Sequence, residues 1–143
     1  MQPLIIWFLS IVLPAPQVVL PAHVDAPPVA CGADVHEPND LRAKARPLPK
    51  EGVVASICRG DVDWYVVKLD RGQRVELVAR HGPGARLDLA IFPPRARTPR
   101  GRRRRGSGQS VLRYRVRRTG NHRVRVRTSG RAKTAYGVEL HLR

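Results

Sequence analysis

Two short acidic motifs are where this sequence could do chemistry. Glu37-Pro38-Asn39-Asp40 places three oxygen-bearing side chains within four residues, on a turn stiffened by proline. Gly60-Asp61-Val62-Asp63 places two carboxylates two residues apart, and side chains so spaced in a strand share a face. Calcium takes roughly six to eight oxygens from carboxylates, amides and carbonyls. The same spacing also fits a plainer role, with Asn39 and Asp40 capping a turn and Asp61 and Asp63 flanking a hairpin. The residues alone leave both readings open. Catalytic machinery is not legible anywhere. The histidines at 23, 36, 81, 122 and 141 are scattered without zinc spacing. Ser107 stands between glycines in a basic stretch and not at a strand-to-helix elbow. The expectation is a chain that is not an enzyme.

Cys31 and Cys58 are the two cysteines. An even count in an exported chain implies one disulfide, and two buried thiols are the alternative. Export is suggested by the apolar run at 4–13, LIIWFLSIVL, which Pro14 and Pro16 then interrupt. That length suits a secretory leader and is short for a bilayer span. Residues 1–26 therefore read as a signal peptide or hydrophobic leader, 27–30 as a linker, and 31–143 as the folded domain. The expected location is secreted, periplasmic or envelope-bound, with no transmembrane span in the mature chain.

The elements that must position the acidic motifs read as strands. Apolar alternation recurs at 53–57, 63–69, 74–79, 87–92, 111–116, 122–127 and 136–142, with turn residues between. No window holds a helical period, and 41–46 has room for one helical turn at most. The spacing predicts an all-β fold, a single antiparallel β-sandwich, jelly-roll-like, of about seven to eight strands. Trp64 is expected in its core between the sheets, with Val66 on the same face. The exception is 95–109, RARTPRGRRRRGSGQ, whose like charges and glycines predict a disordered Arg-rich loop that adds nothing to the fold.

Charge is the other strong signal. Lys and Arg total 27 against 11 Asp and Glu, a net +16, and none of the basic residues precedes Arg42. Arg113, Arg115 and Arg117 alternate along one expected strand, and Arg123, Arg125 and Arg127 along the next. If those strands are neighbours, all six guanidinium groups share one sheet face. With Arg102, Arg103, Arg104 and Arg105 from the loop, they would attract polyanions such as nucleic acid, lipopolysaccharide or acidic glycans. Aromatics are only 5% of the chain, which argues against a base-stacking platform and against sequence-specific nucleic-acid recognition. An arginine-rich outer face that merely aids solubility explains the same pattern.

The ordered motifs resemble a known family. Glu37-Pro38-Asn39-Asp40, then Gly60-Asp61-Val62-Asp63-Trp64-Tyr65, Leu69-Asp70-Arg71-Gly72, Leu87-Asp88-Leu89 and the 120–126 turn and strand are similar to the bacterial pre-peptidase C-terminal domain, over about 31–143. The resemblance implies a β-sandwich that is not itself catalytic and is usually appended to exported proteins, with relatives that bind calcium. It implies that Glu37, Asn39, Asp40, Asp61 and Asp63 are the calcium-side residues and that Trp64 is the core aromatic. Val35 stands where calcium-binding relatives often carry an acid, and Asn121-His122 replaces a common Thr-Tyr pair. The function expected is a secreted binding or accessory module, possessing a calcium site on this resemblance, for an extracellular or envelope ligand the sequence does not name. A polyanion binder on the same scaffold is the alternative.

Overall fold

The computed structural model describes residues 34–129 and 133–143. The expected leader, the linker and Cys31 lie outside the described residues. A 3-10 turn at Arg42–Lys44 is followed by nine strands. These are β1 (Arg46–Pro47), β2 (Val53–Ile57), β3 (Val62–Leu69), β4 (Arg74–His81), β5 (Leu87–Phe92), β6 (Arg102–Gly106), β7 (Gln109–Arg115), β8 (Gly120–Thr128) and β9 (Thr134–Leu142). They form a four-stranded sheet, ordered β1-β3-β8-β5, and a five-stranded sheet, ordered β2-β9-β4-β7-β6. All pairings are antiparallel except β1 with β3. The all-β sandwich is as expected, with two strands more than the alternation revealed.

Alternate residues of both sheets meet in one apolar core. Tyr65, Val67 and Leu69 of β3, Leu87, Leu89 and Ile91 of β5, and Val124 and Val126 of β8 line one side. Ile57 of β2, Val75, Leu77 and Ala79 of β4, Leu112 and Tyr114 of β7, and Tyr136, Val138 and Leu140 of β9 line the other. Burying such side chains contributes about 1.5–3 kcal/mol each.

Three expectations are corrected here. Trp64 is not the core aromatic: it shares the outer face of its sheet with Val66, while Tyr65 is fully buried. Trp64 pairs in register with Arg125, its ring centre is 5.3 Å from that of Phe92, and Arg42 and Arg125 each hold a guanidinium carbon 5.8 Å from it. Cation–π contact replaces core burial for this ring.

The segment 95–109 is not a disordered loop. Arg102–Gly106 is an edge strand, paired with β7 through the two-residue turn Ser107-Gly108. What overcomes the repulsion is Asp88 of β5, whose side chain is 2% exposed. Arg103 and Arg105 reach its Oδ1 at 2.8 Å each, Arg127 its Oδ2 at 3.0 Å, and Arg125 lies 3.9 Å away. One buried carboxylate thus ties β6 of one sheet to β5 and β8 of the other. The 93–101 connection is pinned as well. Arg100 donates its backbone N–H to Ile91, and Arg42 donates to the Ala96 carbonyl at 2.7 Å. Gly101 has φ +97, and a Cβ there would stand 2.8 Å from the Arg113 carbonyl oxygen, so only glycine lets the chain lie this close to β7.

Finally, the two arginine triplets do not share a face. Arg113 and Arg115 are on β7, with Arg117 just beyond it, whereas Arg123, Arg125 and Arg127 are on β8, in the opposite sheet. The short link between these strands crosses from one layer to the other.

Candidate functional site

The two acidic motifs meet at one end of the sandwich. Gly60 at φ +83 completes a turn in which Asp61 donates its N–H to the Cys58 carbonyl at 3.1 Å. Asp61 Oδ1 then accepts from Val62 at 2.8 Å, at the threshold of β3. The 34–40 segment docks alongside. Trp64 donates its N–H to the Asn39 carbonyl at 2.9 Å, and Asp34 accepts from the backbone of Ser56 at 2.9 Å. Arg46 donates to the carbonyls of His36 and Glu37.

As a result, carboxylate oxygens of Glu37, Asp40, Asp61 and Asp63 all lie within 4.8 Å of one another. Asp63 is fully buried, Asp40 is exposed, and the other two are intermediate. Among the described residues none of the four forms a salt bridge, in a chain with 27 Lys and Arg. Arg42, adjacent in sequence, faces away toward Trp64 and Phe92.

The electrostatics follow. Burial pushes the Asp63 carboxyl up to about 7, with the charges of Asp61, Asp34 and Glu37 adding and a hydrogen bond from the Tyr136 hydroxyl opposing. Burial likewise raises Asp61, reinforced by its contact with Asp40. Glu37 is raised by burial and by the charges of Asp40, Asp61 and Asp34, against a hydrogen bond from the Asn39 N–H. Negative charge is crowded here without compensation.

Asn39 is brought to the cluster as well. It is 1% exposed, and its amide nitrogen faces two carboxylates, donating to Glu37 Oε2 at 3.2 Å and Asp63 Oδ1 at 3.0 Å. So oriented, the amide braces the two carboxylates. Sequence reasoning missed the tyrosines behind the cluster. Tyr136 of β9 donates to Asp63, and its oxygen is 2.7 Å from that of Tyr65. These buried hydroxyls join the cluster to both sheets. Burial raises the pKa of each, keeping the phenols protonated. No cysteine among the described residues is free, and the pairing of Cys58 with Cys31 remains an expectation because Cys31 lies outside them.

The donor set fits a hard divalent cation. Four carboxylates, without nitrogen or sulfur ligands, suit calcium or magnesium rather than zinc or copper. No helix among the described residues is long and apolar enough to cross a membrane.

No protein-family model and no curated protein matches the sequence. A solved structure does match in three dimensions: the pre-peptidase C-terminal domain of a collagenase from Bacillus anthracis, at TM-score 0.57 over 67% of this chain and 98% of that one. The chain has the fold of a pre-peptidase C-terminal domain. Sequence identity between the two is 10%, so the likeness is one of architecture.

Proposed function

We propose that this chain is a non-catalytic, exported binding or accessory module of pre-peptidase C-terminal fold, stabilised by calcium at the Glu37, Asp40, Asp61 and Asp63 cluster. The observation that carries this is four converging carboxylates left without a basic partner in a strongly basic protein. Bound calcium would neutralise the repulsion and fasten the 34–40 segment to β3, with Asn39 and Tyr136 orienting Glu37 and Asp63. Its role is structural, and no chemical step is assigned to it. A bridge between Cys31 and Cys58 would hold both motifs close before the ion arrives and lower the ordering cost of binding.

The test is thermal unfolding in calcium against chelator. A ligand at about 100 times its Kd adds about 2.7 kcal/mol, and at roughly 4 °C per kcal/mol the midpoint should rise by about 10 °C. Asp61→Asn with Asp63→Asn should abolish the rise while the protein still folds, and reduction of the disulfide should diminish it. An unchanged midpoint in the oxidised protein would assign the carboxylates to turn capping and remove the metal from the proposal.

A further inference from the structure

The opposite end of the sandwich carries a second site, independent of the carboxylate cluster. A cleft of about 1300 Å³ opens between the 93–101 connection and the ends of β4, β7 and β9. Nine arginines line it, against a single acidic side chain, Glu76, which is already paired with Arg113. Among the described residues, Arg74, Arg115, Arg117, Arg118 and Arg143 form no salt bridge. The arginines around Asp88 differ. Arg103, Arg105, Arg125 and Arg127 converge on Asp88, whereas among the described residues eight of the nine cleft arginines form no salt bridge.

The walls of the cleft are held in place. The connection is fixed to β5 at Arg100 and to β7 at Gly101. Its turn Pro93-Pro94-Arg95-Ala96 closes by a 3.0 Å hydrogen bond and holds Arg95 at φ +61. That left-handed position in a turn usually goes to glycine or asparagine, so a long side chain there is held under strain. Arg95 stands on the ridge between this cleft and a smaller cavity of about 470 Å³ that contains Arg42 and Arg123. Arginines therefore run from one hollow into the next.

We propose that this cleft binds a linear acidic polysaccharide, whose sulfate or carboxylate groups are received by the arginine forks. Guanidinium groups grip such oxyanions through paired, charge-assisted hydrogen bonds. A chain with charges repeating along its length relieves the mutual repulsion of arginines that far outnumber the one acidic side chain among them. Single-stranded nucleic acid is disfavoured because stacking platforms need exposed rings. The one aromatic in the cleft, Tyr114, is 8% exposed and packs on His122.

The probe is a defined-length heparin oligosaccharide, titrated calorimetrically with the full folded chain. Affinity should fall steeply as salt rises from 50 to about 200 mM, by tenfold or more, because several ionic contacts are made together. The triple variant Arg115→Ser, Arg117→Ser, Arg118→Ser should weaken binding at least tenfold. These side chains are exposed and form no salt bridge among the described residues, so unfolding midpoints should be unchanged. Arg71→Ser, Arg86→Ser, Arg104→Ser removes the same charge outside the cleft and should leave affinity within about twofold. Equal losses in the two triple variants would mean diffuse attraction to net charge and would overturn the site. So would absence of binding at 50 mM salt. Tighter binding of a single-stranded oligonucleotide of equal charge, lost in the cleft variant, would overturn the polysaccharide assignment. Calcium or chelator should leave the titration unchanged, which separates this site from the carboxylate cluster.

Discussion

Replacing Asp88 by alanine should have an effect out of proportion to a single surface-near carboxylate. The side chain is 2% exposed and accepts hydrogen bonds from Arg103, Arg105 and Arg127, with Arg125 close by. Removing it leaves four positive charges facing each other around an empty position. Breaking a buried ion pair from one side costs about 3–5 kcal/mol. The arginines are 23% to 59% exposed, so water recovers part of that loss and the lower bound applies, about 3 kcal/mol. For a domain of this size, roughly 4 °C per kcal/mol makes a fall in Tm of roughly 12 °C. The loss should also be localised. Hydrogen exchange in β6 should accelerate far more than in β3 or β8, because β6 has one strand neighbour and leans on Asp88 for its second tether. Thermal unfolding with residue-resolved exchange measures both quantities. A loss below about 1 kcal/mol, or exchange that rises uniformly, would refute the idea that this carboxylate holds the arginine strand in place.

The same carboxylate sets an acid limb. Burial disfavours its charge, but hydrogen bonds from Arg105 and the charges of Arg103, Arg127 and Arg105 outweigh that and hold its pKa below the usual value. Its contribution is therefore present above about pH 4 and lost as pH falls through the depressed value. The stability gap between wild type and Asp88→Asn should shrink in urea titrations below about pH 4, and a constant gap down to pH 2 would contradict this. Trp64→Ala should cost about 1–2 kcal/mol, as loss of cation–π and partial burial on an outer face, well short of a core truncation. A loss of 4 kcal/mol or more in chemical denaturation would return the indole to the core.

Much of this was legible in the residue order, and the errors have identifiable causes. Apolar alternation found seven strands because each of those strands buries at least one face. It missed β6, which buries no side chain of its own and is stabilised by a carboxylate fifteen residues earlier, on another strand. The Ser107-Gly108 turn ahead of a clear strand was the available local signal. In β3 both faces are largely apolar, and the larger ring was placed inside. Lys68 shares the parity of Trp64 and must reach water, which favours Tyr65 as the inward residue. Meeting of the two acidic motifs was implied by the family resemblance. Bracing by Asn39 and Tyr136 was not, since Tyr136 lies 73 residues from Asp63 and only the sheet order brings them together. The separation of β7 and β8 into different layers likewise has no local signature.

The position of β6 at the rim of its sheet has a consequence for how copies of this domain meet. A free strand edge offers its N–H and C=O groups to any extended chain, and identical molecules are the nearest supply. Here the rim carries four consecutive arginines. A second copy docking edge to edge would bring its own row to within about 4.8 Å, the distance between neighbouring strands. Asp88 neutralises that row from the inner side only, and the approaching copy would bring no carboxylate of its own along the seam. The charge that looked incompatible with a strand is thus what keeps this edge from recruiting its own kind.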